Sequence, residues 1–235
     1  MFQGDHPDLR SAVGRALAMA RDLGHPRAGS EHLLLALSAA GGIVSAVLSQ
    51  LGATEAAVRE MVCQAAPLGA GAAADRDTLA PLGIDVDWLL SRLSPAVLDR
   101  PTAGEPLLPF GAVKARRRCA RMSPPLGLDA QAAYEASLRL ALARRDREHR
   151  PEHLAMTLVA LDPGAGWVLR AAGVNAAALL VELASAFPPP KRNLLLRAER
   201  WAGRRSRHHD LVRRYQRTTG RTVTSDGAVA ALIAG

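Results

Sequence analysis

Ser30-Glu31-His32-Leu33-Leu34-Leu35-Ala36-Leu37 is the stretch on which the reading of the chain turns. It returns as Pro151-Glu152-His153-Leu154-Ala155-Met156-Thr157-Leu158, with Glu31 and Glu152 separated by 121 positions. The same spacing aligns Val13 with Tyr134, Leu17 with Leu138 and Ala20 with Ala141 upstream. Downstream it aligns Val47-Leu48 with Val168-Leu169, and Gly52 with Gly173. An ungapped internal match of this length predicts a duplicated structural unit.

Each unit reads as helices. Pro7 and Asp8 open the first, Leu9, Val13, Ala16, Leu17 and Ala20 recur at helical spacing, and Gly24 with Pro26 ends it. Ser30 suits an N-cap, with Glu31 in the first turn and Leu33, Leu34 and Leu37 facing inward. A short helix over 43–51 follows, then one capped by Thr54. In the second copy Asp129 is read as a cap, Pro151 as a first-turn residue, Asp162-Pro163-Gly164 as the turn matching Gly41-Gly42, and Asn175 as the last cap. A unit of this size exposes too much apolar surface alone, so the copies are expected to pack on one another.

Leu23-Gly24-His25 followed by Gly29-Ser30-Glu31-His32-Leu33-Leu34-Leu35 resembles the repeat of the Clp ATPase N-terminal domain. That family usually reads L-G-H, a few residues, then G-T-E-H, a hydrophobic residue and L-L. The likeness covers residues 8–66 and, in degenerate form, 129–187. In the second copy Arg145-Asp146 stands in place of Gly24-His25, and Pro151 in place of the Ser/Thr. The resemblance implies an all-α fold of two pseudo-symmetric four-helix repeats, 1–66 and 129–187. Between them lies a connector, 67–128, with a short helix around 86–93. Its Glu105-Pro106-Leu107-Leu108-Pro109-Phe110 resembles the family's inter-repeat phrase. Residues 67–74, rich in alanine and glycine, read as a flexible linker. An arginine-rich extension, 188–235, follows the second repeat, with a long basic helix over 191–218 and a loose end after Gly220.

The net charge of +8 resides in that extension, which holds eleven basic and three acidic residues, whereas the body is balanced. The two cysteines, Cys63 and Cys119, are too few for a disulfide framework. The first residues lack the basic start and apolar core of a signal peptide, and no apolar run spans a bilayer. The expectation is a cytoplasmic protein without a membrane partner.

In the protease-linked members of the resembled family, the glutamates of the two motifs receive arginine or phosphoarginine side chains of substrates. This implies ligand binding at Glu31 and Glu152, with Ser30 beside the first. A carboxylate holds a guanidinium through paired hydrogen bonds, and a helix start offers N–H groups to phosphate. Arg150 is placed to compete for Glu152. His32 and His153 read as packed residues bonded to a neighbouring loop. His149-Arg150-Pro151-Glu152-His153 spells H-x-x-E-H, but Pro151 leaves His149 off the helix, so no metal is expected. No phosphate-binding G-x-x-x-x-G-K-[ST] occurs, no catalytic constellation stands out, and no cofactor is implied. The chain therefore reads as a recognition module without a motor, not an enzyme. Its implied partners are Clp protease components, substrate proteins or a peptide-like small molecule, including an antibiotic it would sequester. A second reading rests on Arg197, Arg200, Arg204, Arg205, Arg207, Arg213 and Arg214, with Trp201 and Tyr215 interleaved: a grip for nucleic acid or an acidic protein.

Overall fold

The computed structural model describes residues 2–92, 119, 121–190, 208–225, 228–229 and 232–233. Among the described residues the regular structure is helical and contains no strand, as the composition and periodicity predict. The first set is α1 (Pro7–Asp22), α2 (Ser30–Ser38), α3 (Gly42–Gln50) and α4 (Glu55–Gln64). Then come α5 (Ala70–Leu79), a 3-10 turn and α6 (Val86–Arg92). The second set is α7 (Leu128–Arg144), α8 (Pro151–Leu161), α9 (Pro163–Ala171) and α10 (Ala176–Ala186), and α11 is His208–Thr219. The starts of α7 to α10 each fall 121 positions after those of α1 to α4.

All of α2 is buried. A helix with apolar residues around its whole circumference is stable only when enclosed. α2 is enclosed by α1, α3 and α4 from its own set, and by α5, α7, α8 and α9. Leu35 and Ala36 are therefore core residues alongside Leu33, Leu34 and Leu37. Thr54 caps α4 through Ala57 N–H at 3.3 Å, and Asn175 caps α10 through Ala177 and Ala178 N–H at 3.0 and 3.1 Å. Ser30 and Asp129 do not cap their own helices. Gly29 and Gly127 hold those positions, and the two side chains turn to each other.

Two further sequence expectations are corrected. Residues 67–74 are not a flexible linker: Ala70 to Ala74 are buried in the first turns of α5, which lies against α9. Small side chains let two helix backbones come close, so a composition that resembles a linker here builds a tight contact. A Cβ on Gly164 would stand 2.9 Å from the Gly71 nitrogen and 3.2 Å from the Ala70 carbonyl carbon. The extension does not end loosely, and where it is described it packs on the body. Leu211, Val212, Tyr215 and Thr218 form a buried stripe of α11 facing α7. Beyond Gly220 the chain stays docked: Thr224 and Ser225 N–H donate to Leu161 and Ala160 carbonyls at 3.3 and 2.9 Å, and Val229 and Leu232 are buried. The phrase Glu105 to Phe110 and residues 191–207 lie outside the described residues. No single helix among those described is long and apolar enough to cross a membrane.

Gly164→Ala should cost about 1–3 kcal/mol in urea denaturation, because α5 and α9 must separate. Gly14→Ala, in α1 with open space around it, should stabilise by about 0.5–1 kcal/mol.

Candidate ligand-binding site

The two motif histidines do the same work in each copy. His32 Nδ1 accepts the Gly29 N–H at 3.1 Å, and its other nitrogen meets His25 Nδ1 at 2.8 Å. His153 Nδ1 accepts the Arg150 N–H at 3.0 Å, and its Nε2 lies 2.8 Å from Asp146 Oδ2. In His153 Nδ1 accepts, so the ring proton sits on Nε2 and is donated to Asp146 in the preceding loop; the Nε2 of His32 points at the preceding loop in the same way. Each histidine thus ties its helix start to that loop, as the sequence predicts. His149 precedes α8, buried between Asp5 at 2.9 Å and Ser137 at 2.7 Å.

The two motif glutamates differ. Glu31 is 2% exposed, and its carboxylate lies against Gly29 and Gly69. A Cβ on those glycines would meet it at 2.4 and 3.1 Å. Its Oε1 is 3.1 Å from His32 Nδ1, and its Oε2 is buried with no hydrogen-bond partner among the described residues. Glu152 instead lines an open cavity of about 480 Å³ with Arg145, Arg147, Glu148, Arg150 and Phe187. Arg150 does not take the Glu152 carboxylate. It bonds Glu148 Oε2 at 2.8 and 3.1 Å. Arg144 closes the cavity floor, donating to the carbonyls of Leu232 at 3.0 Å and of Phe187. Arg145 holds a left-handed φ of 67°, at the position matching Gly24 in the first copy.

Ser30 joins a second acidic group that the motif does not announce. Its N–H and Oγ lie 3.3 and 3.2 Å from Asp129 Oδ2, and its Oγ lies 2.7 Å from Asp162 Oδ1. Asp162 also accepts Ala165 N–H at 2.6 Å and the Tyr215 hydroxyl. Burial raises the Asp162 carboxyl above its ordinary range, although these bonds oppose the rise. Burial, then the charges of Glu31 and Asp162, push Asp129 up to about 6. Ser30 has a single hydroxyl proton, so it cannot donate to both aspartates at once. A protonated Asp129 relieves that competition. Arg221 supplies positive charge, bonding both oxygens of Asp75 at 2.8 to 3.0 Å. Burial works against its cation, but Asp75, Asp129 and Asp162 outweigh it.

Of the arginines in the basic reading, Arg214 is paired with Glu135 at 2.5 Å and Arg213 is exposed. Arg197, Arg200, Arg204, Arg205 and Arg207 lie outside the described residues. Sequence reasoning passed over Asp75 and Arg221, and took Tyr215 for an aromatic of the basic patch and not a partner of Asp162. It took Asp129 and Asp162 for a cap and a turn, because nothing in their spacing links them.

A carboxyl with a raised folded-state pKa takes up a proton on folding. Its contribution to stability therefore grows as pH falls through about 6 and levels off near the ordinary 3.8. Asp129→Asn lacks this uptake. In urea denaturation, wild type should gain about 1–3 kcal/mol relative to the variant between about pH 7.5 and about pH 4.5.

Residues 7–97, which span α1 to α6, match the family model described as the Clp repeat (R) N-terminal domain. No curated protein matches the chain. The motif at Glu31, the all-helical fold and this match agree, and over residues 7–97 the chain is similar to the Clp repeat N-terminal domain family.

Proposed function

We propose that this protein is a non-enzymatic, cytoplasmic binding module of Clp N-terminal type. It recognises protein substrates, adaptors or a peptide-like ligand, as an accessory to a Clp chaperone–protease or as a decoy that draws off a ligand aimed at one. The family match supports the Clp association, and the lack of a phosphate-binding motif separates it from the motor.

The observation that carries the reading is the cavity beside Glu152, about 480 Å³ in volume. Cavities of roughly this size hold small molecules or a few peptide residues. Its chemistry suits a peptide. Glu152, at the start of α8, offers a carboxylate to a guanidinium or amine. Arg145 and Arg147 offer charge to a carboxylate or phosphate, and Phe187 with Pro188 gives an apolar wall. The first-copy glutamate is enclosed, so ligand entry is assigned to the second copy.

Titration of the full chain with arginine- and phosphoarginine-bearing peptides and with peptide-like Clp N-domain ligands tests this. Binding should weaken about tenfold or more in Glu152→Ala, the effect of losing one charge-assisted pair. If wild type binds none of these and retains no Clp component or substrate on an affinity column, the reading fails.

A further inference from the structure

The residues before α1 cross over to the second set. Gln3 N–H donates to the Arg147 carbonyl at 2.7 Å, His149 N–H to the Gly4 carbonyl at 2.9 Å, and His6 N–H to the His149 carbonyl at 2.8 Å. Side chains reinforce this arm. His149 Nδ1 lies 2.9 Å from Asp5 Oδ1, and the Tyr134 hydroxyl donates to Asp5 Oδ2 at 2.6 Å. The His149 bond holds the Asp5 carboxyl below its ordinary range. An ionised carboxylate only accepts, so the His149 ring donates from Nδ1.

The same register recurs one copy on. Adding 121 to 4, 5 and 6 gives Pro125, Leu126 and Gly127, and subtracting it from His149 gives Ala28. Ala28 N–H donates to the Pro125 carbonyl at 2.9 Å, and Gly127 N–H donates to the Ala28 carbonyl at 2.9 Å. Each set thus lays the residues before its first helix on a loop of the other. The side chains differ: Leu126 crosses Ala28 where Asp5 crosses His149.

The loop beneath the first arm is a wall of the Glu152 cavity. Residues 145–150 join α7 to α8, and Arg145, Asp146, Arg147, Glu148 and Arg150 line that cavity. The loop's ends are tied to its own helices: Arg145 and Asp146 N–H reach Leu142 and Ala141 carbonyls, and Arg150 N–H reaches His153. Among the described residues, the backbone hydrogen bonds of 147–149 run to the arm. A wall already held in place has less freedom to lose when a ligand binds.

We propose that the N-terminal arm, residues 2–6, positions the 145–150 loop and so sets the ligand affinity of the Glu152 cavity, with Asp5 and His149 as the positioning pair. This rests on the reading of that cavity as the binding site. The matching arm at Leu126 holds the first copy's loop and has no part in it.

The test compares full-length wild type with three variants, by amide exchange and by titration with an arginine-bearing peptide. Asp5→Ala removes the side-chain grip. Gly4→Val loosens the arm by another route and decides the matter if Asp5→Ala does not fold: Gly4 has a φ of 91° in open space, where a β-branched residue is strained without a clash. Both should speed exchange over 147–150 and weaken peptide binding about tenfold, although neither residue lines the cavity. Asp5→Asn, which keeps an oxygen for His149, should fall between wild type and Asp5→Ala. Leu126→Ala should speed exchange at Ala28 instead and leave peptide affinity unchanged. Unchanged exchange over 147–150 in the folded arm variants, or an equal loss of affinity in Leu126→Ala, would overturn the proposal. If wild type binds no peptide, the reading of the Glu152 cavity fails, and exchange alone decides whether the arm positions the loop. If Glu152→Ala weakens binding and the arm variants do not, this inference alone fails.

Discussion

Three helix starts meet at one place. α2, α7 and α9 bring their N-termini together, and each carries a carboxylate in or beside its first turn: Glu31, Asp129 and Asp162. The unsatisfied N–H groups and the partial positive charge of a helix start favour an anion there. That preference explains how acids persist in a region from which water is largely excluded. Ser30 stitches the three helices by reaching Asp129 and Asp162, so the first and second sets are locked through polar bonds at this end. Leucine and alanine packing around α2 does the rest. Like charges this close oppose one another, and the raised Asp129 is the visible result.

Much of this architecture is legible in the sequence. The Glu-His-Leu stretch and its copy set out eight helices in two sets. Thr54, Asn175 and Gly24 mark boundaries where the structure has them, because caps and left-handed glycines are decided by residues within a turn of one another. The roles of His32 and His153 were legible for the same reason, since their partners lie in the loop just before. What could not be read depends on distant partners. Residues 70–74 look like a linker because alanine and glycine are ambiguous until a neighbouring backbone is known. The meeting of Asp75 with Arg221 spans 146 positions with no motif to link them. The α11 stripe of Leu211, Val212, Tyr215 and Thr218 was hidden among arginines, although its spacing is helical.

The duplicated motif has diverged in environment more than in sequence. Both glutamates follow the same residue spacing and both precede a histidine that fixes the helix start. Yet Gly29 and Gly69 crowd around Glu31, whereas Arg150 in the position of Gly29 swings out to Glu148 and leaves Glu152 at an open wall. A glycine in one copy and an arginine in the other thus accompany a carboxylate that is enclosed and one that faces a cavity. The left-handed Arg145, where the first copy has Gly24, adds a cation to the same rim.

The docked segment around Tyr215 and Arg221 has a consequence for how the polypeptide is born. Its bonds reach back to Asp162 and Asp75, so these two acids lack those particular partners on a ribosome that has released only the earlier residues. Contacts of such long sequence separation form late. Asp162 and Asp75 therefore gain Tyr215 and Arg221 only after residue 221 has emerged. That interval is when a chaperone would have the most to hold.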